Sequence, residues 1–91
     1  MNALSSIPFK QVVVRTDEIG PLRAVGSVRE AAECLVDDWP TEGRGRAYHI
    51  ACIICRRALA GDIAAEAARR AFIAAAKEAG VFVREGRGRR G

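Results

Sequence analysis

The segment from Ser27 to Pro40 marks both of its own ends, and this constrains the fold more than any other stretch. Ser27 is a good helix N-cap, and Glu30 follows at the capping-box spacing. Val28, Ala31, Ala32, Leu35, Val36 and Trp39 recur at helical spacing and form one continuous apolar stripe. Arg29, Glu33 and Asp37 lie off it. Pro40 disfavours helical geometry at Trp39, so the helix is predicted to stop near Asp38. A stripe of that width has to be buried, so the rest of the chain must supply a core for it.

The material for that core lies on both sides. Phe9 to Arg15 reads as a strand through its β-branched run Val12-Val13-Val14. Thr16 to Pro21 has turn chemistry, and Leu22 to Val25 reads as the returning strand of a hairpin. After the polar loop Thr41–Gly45, a second helix is predicted over 46–60. Its apolar residues cover more than half of its circumference, which predicts the most buried helix of the set. Arg56 and Arg57 suit the negative pole of its dipole, and Gly61 suits its C-terminal stop. Asp62 is placed to cap a third helix over 63–79, anchored by Phe72 and Ile73 in an alanine-rich face. Gly80 ends it, and Val81-Phe82-Val83 reads as a third strand. The order β-β-α-α-α-β describes an α+β domain, a small sheet packed against three helices. The domain is expected over 9–83, with a loose lead-in over 1–8 and a disordered Arg/Gly-rich tail over 84–91.

Ninety-one residues are enough for one domain with a modest core. No apolar run approaches the ~18 residues of a membrane span. The first eight residues lack the charge and apolar block of a secretory signal. Three cysteines, an odd number, do not suit a disulfide framework. A soluble, cytoplasmic protein is therefore expected. The net charge of +4 conceals an asymmetry: residues 1–43 carry −3, and residues 44–91 carry +7.

The opening Ser27-Val28-Arg29-Glu30-Ala31-Ala32-Glu33, then Leu35 and Trp39-Pro40, form a combined pattern with Tyr48, Cys55, Ala58-Leu59-x-Gly61 and Ala68-Arg69-x-Ala71-Phe72. In this pattern the chain resembles the small bacterial family known as domain of unknown function 982, over about residues 9–83. The resemblance implies a stand-alone soluble domain of this length. It implies no activity and supplies no catalytic or ligand residues. The Arg/Gly tail departs from the family pattern.

No catalytic constellation assembles from the residues, and the chain is read as a non-enzyme that needs no cofactor. Cys52-Ile53-Ile54-Cys55 has CxxC spacing but falls in mid-helix, away from the N-terminal dipole that activates redox pairs. Buried packing is the favoured reading. His49, Cys34, Cys52 and Cys55 lack the paired spacing of a zinc site, so no metal is expected. His49 is expected on the surface of the second helix. Trp39 and Tyr48 are read as a seal at the core edge, with their polar tips turned outward.

Two roles remain. The first is a non-catalytic, self-associating interaction module. Val12, Val13, Val14 and Phe82 place apolar groups on both faces of the sheet, while three helices cover only one. A homodimer over those residues would cover the other. The second is nucleic-acid binding through the Arg-rich C-terminal half, with Arg56, Arg57, Arg87, Arg89 and Arg90 as candidate contacts within a wider basic set that includes Arg44, Arg46, Arg69 and Arg70. The absence of interleaved aromatics weighs against single-strand binding.

Overall fold

A computed structural model describes residues 8–17 and 19–86 of the chain. Strand β1 (Pro8–Val14) and strand β2 (Arg23–Ser27) lead directly into helix α1 (Val28–Asp37). A 3-10 turn (Thr41–Gly43), helix α2 (Arg46–Leu59), helix α3 (Ala65–Ala79) and strand β3 (Phe82–Glu85) complete the α+β order β-β-α-α-α-β. The sheet is antiparallel, in the order β2-β1-β3. Val12, Val13 and Val14 pair with Val25, Ala24 and Arg23 on one side. On the other side they pair with Glu85, Arg84 and Phe82, and the register shifts between Val13 and Val14.

Helix α1 starts as its sequence requires. The Ser27 hydroxyl accepts the Glu30 N–H at 3.1 Å. The Glu30 carboxylate reaches one residue further back than a capping box, accepting the Gly26 N–H at 2.7 Å. Helix α2 ends in a Schellman turn: Gly61 has φ +85°, its N–H donates to Ala58 O, and the Asp62 N–H donates to Arg57 O. Asp62 is taken up in that turn as its last residue and stands two positions before the N-cap of α3, so it does not cap that helix. The helix begins two residues later than expected, after Ala64, with no side-chain cap.

One core joins the sheet to the helices. Val12, Val14 and Val25 meet Val28, Leu35 and Phe72, all essentially inaccessible. The Trp39 ring stands 5.5 Å from that of Phe72 and 6.2 Å from that of Tyr48. The Trp39 indole N–H donates to Gly43 O, and the Tyr48 hydroxyl donates to Leu35 O. Both polar tips therefore turn inward to backbone carbonyls, not outward, which satisfies two carbonyls near helix ends.

The expected dimer surface over Val12, Val13 and Val14 does not exist as exposed surface. Val12 and Val14 are 0% exposed and Val13 only 5%. The cause is topological. β1 is the central strand, so even Val13, on the face turned from the helices, stands between Ala24 and Arg84. Phe82 is half-buried, with the Lys77 ammonium 5.2 Å above its ring. The tail boundary also moves. Arg84 and Glu85 belong to β3, and the Gly86 N–H donates to Gln11 O.

Arg69 fastens this end of the sheet. It is 7% exposed and donates to Lys10 O, to Glu66 and to Glu85, clasping α3 to β1 and β3. Glu78 does similar work at the other end of α3, accepting the Ala47 and Tyr48 N–H groups at the start of α2.

Candidate functional site

Half of the large apolar side chains that the fold leaves exposed lie on the helices; Ile19, Leu22 and Val83 are the others among the described residues. Val36 is 66% exposed, Ile50 46% and Ile53 53%, although Val36 and Ile50 fall in apolar patterns. Helix α2 is therefore not the most buried helix, because its apolar surface exceeds what α1 and α3 cover. Arg46, His49, Arg56 and Arg57 share its outward side with the two isoleucines. Helix α2 contains no acidic residue. The neighbouring α1 exposes Glu33 and Asp37 beside Val36.

Between α1 and α2 runs an open groove of about 490 Å³. Ala32 and Leu35 from α1 and Leu59 from α2 give it an apolar floor. Tyr48, Cys52 and Arg56 follow at i, i+4 and i+8 along its α2 wall. Arg44 lies at one end, its guanidinium 5.3 Å above the Tyr48 ring and donating to Trp39 O at 3.1 Å. His49 stands edge-on to Tyr48 at 5.2 Å. No carboxylate lines the groove.

The three cysteines are free thiols with different surroundings. Burial pushes the Cys34 thiol up to about 11 and the Cys55 thiol up to about 12. Cys52 is half-buried and lines the groove. Burial, followed by its side-chain hydrogen bond with Cys52, raises the Tyr48 phenol above its ordinary value. The CxxC pair is thus split, one thiol in the core and one in the groove, at mid-helix. Among the described residues, no three His, Cys, Asp or Glu side chains are grouped as a metal site would need.

Of the candidate nucleic-acid contacts, Arg56 and Arg57 are exposed near the end of α2. Arg87, Arg89 and Arg90 lie outside the described residues. The wider basic surface is broken up: Arg69 is buried among its partners, Arg70 pairs with Glu66 at 3.3 Å, and Arg44 is held over Tyr48. Arg69 and Glu78 were not legible as structural residues in the sequence. Arg69 did carry a signal, since it stands three residues before Phe72 on an otherwise apolar side of α3. Glu78 carried none, because its partners lie some thirty residues away. No helix among the described residues is long and apolar enough to cross a membrane.

The model of the family described as "Protein of unknown function (DUF982)" matches residues 10–83. The match takes in every helix and most of the sheet, and the chain belongs to this family. No curated protein and no solved structure matches it.

Proposed function

We propose that this member of the DUF982 family is a non-catalytic interaction module that self-associates, and that the contact lies on its helices and not on its sheet. The observation that supports this reading is the outward face of α2. Ile50 and Ile53 are each about half exposed, one turn apart, and framed by Arg46 and Arg57 a turn beyond. Exposed isoleucines in a charged frame suit a protein partner better than a phosphate backbone. A second copy offers the complement. The cationic α2 packs beside α1, whose exposed Glu33 and Asp37 flank Val36. A two-fold pairing sets each α2 against its partner's α1, so every favourable contact occurs twice. Direct α2–α2 pairing would oppose like charges.

Light scattering coupled to size exclusion at micromolar concentration tests this. A dimer is expected, and Ile53→Asp is expected to give a folded monomer. Arg57→Glu should weaken the dimer, and Asp37→Arg in the same chain should restore it. A parent chain that is monomeric throughout that range would refute the reading. Nucleic-acid binding is the second reading, favoured by Arg46, Arg56 and Arg57, which have no ion pair among the described residues. It requires binding that falls steeply with salt and that drops when Arg56 and Arg57, or Arg87, Arg89 and Arg90, are neutralised.

A further inference from the structure

We infer that the groove between α1 and α2 is a binding site for a small amphipathic anion, a carboxylate carried on a slender apolar body. The groove's volume of about 490 Å³ falls within the range of small-ligand sites, roughly 300–1,000 Å³. Its floor is apolar and its charged lining is entirely of one sign, with Arg44 at one end and Arg56 towards the other. A cationic ligand would find no counter-charge in it, and a zwitterionic one none for its positive group. A neutral apolar one would leave both guanidiniums unanswered.

Arg44 is prepared for the task. Its contacts with Trp39 O and the Tyr48 ring hold the guanidinium in place before any ligand arrives, and this lowers the ordering cost of binding. Arg56 is exposed and without an ion pair among the described residues. From Tyr48 to Arg56 the α2 wall runs about 12 Å, eight residues at the helical rise. That length accommodates an extended chain of eight or so carbons, with its carboxylate on one arginine and its tail over Leu35 and Leu59. The site uses side chains of α2 other than those of the self-association face, while Val36 of α1 borders both the groove and that face.

Cys52, half-way along this wall, is a built-in reporter. The other two thiols are buried and hard to ionise, so N-ethylmaleimide, a neutral reagent, should label Cys52 first in the native protein. Labelling is followed by intact mass and peptide mapping. Octanoate at four times its dissociation constant should slow it about fivefold, the protection a single site gives at that filling. Octyltrimethylammonium, of equal chain length, should not protect. Arg44→Gln/Arg56→Gln should remove most of the protection, and at least one of the single variants should do so alone, each judged against its own unliganded labelling rate. No protection by millimolar octanoate, equal protection by the cation, or full protection in both single variants would each overturn the inference. Light scattering on the same samples reads the oligomeric state separately, so either proposal can fail while the other stands.

Discussion

Replacing Glu78 with alanine should loosen the start of α2, a helix far from it in sequence. The first turn of any helix leaves N–H groups without partners. The N-cap position of α2 is Gly45, which has no side chain to offer, and its first turn holds no acidic residue. Arg46, the first helical residue, is of the wrong sign for the dipole. Glu78 answers all three deficits. Its two carboxylate oxygens accept the Ala47 and Tyr48 N–H groups at 3.2 and 3.3 Å. Losing a good cap costs about 0.5–2 kcal/mol. Charge-assisted bonds sit toward the top of that range, but these are long and partly exposed, so about 1–2 kcal/mol is expected. In a domain of this size that is a fall in Tm of about 4–8 °C per kcal/mol. Glu78→Gln, which keeps one acceptor and loses the charge, should cost about half as much.

Gly45 makes the reasoning refutable. A Cβ there would stand 2.9 Å from one Glu78 carboxylate oxygen and 3.0 Å from the other. Gly45→Ala should therefore push the carboxylate off its donors. In a Glu78→Ala background it should cost only the roughly 0.5–1 kcal/mol that separates glycine from alanine at a cap. Urea denaturation followed by the fluorescence of buried Trp39 gives all four corners of the cycle. A coupling of about 1 kcal/mol is expected. Additivity within about 0.5 kcal/mol would refute the proposed cap.

Arg69→Ala should cost about 1.5–3 kcal/mol by leaving Lys10 O and Glu85 without their donor, read as a lower urea midpoint with unchanged m. An unaltered midpoint would show the clasp to be idle. Leu35→Ala should cost about 2–5 kcal/mol, since Leu35 is fully buried. Ser27→Ala should cost about 0.5–2 kcal/mol through loss of the bond to the Glu30 N–H; no change in either melting temperature would undo the account of α1. The raised thiols of Cys34 and Cys55 favour the folded state while neutral. Their contribution is complete below pH 9, the unfolded thiol value, and is lost as pH rises through about 11 and 12. Each thiol alone can give a slope approaching about 1.4 kcal/mol per pH unit in that window. The stability of a Cys34→Ala/Cys55→Ala variant should fall less steeply above pH 9, and identical slopes would contradict the assignment.

Local signals read correctly where their physics is local. The Ser27 cap, the Gly61 stop and the helical spacing of Leu35 needed only neighbours a turn or two away, and the element order followed from them. Long-range geometry was less legible. The β-branched run identified Val12 to Val14 as a strand but could not tell a central strand from an edge, and that difference decides whether the valines are surface or core. Ile50 fitted an apolar face of the second helix, yet its exposure depends on how much surface the neighbouring helices cover. The groove was half-visible in Tyr48, Cys52 and Arg56, which share a side of α2. Its floor on the α1 side, Ala32 and Leu35, was indistinguishable from core until the helices were placed together.

The strand order has a further consequence for how the molecule comes into being. Val12 lies between Val25, which follows soon after it in the chain, and Glu85, which is made some seventy residues later. During synthesis β1 can find its first neighbour early, but its second flank stays open until the ribosome has released Phe82–Glu85. For that interval a run of three valines offers unpaired N–H and C=O groups to any passing strand. The nascent chain should therefore be most prone to aggregate, and most dependent on chaperones, just before the last strand arrives.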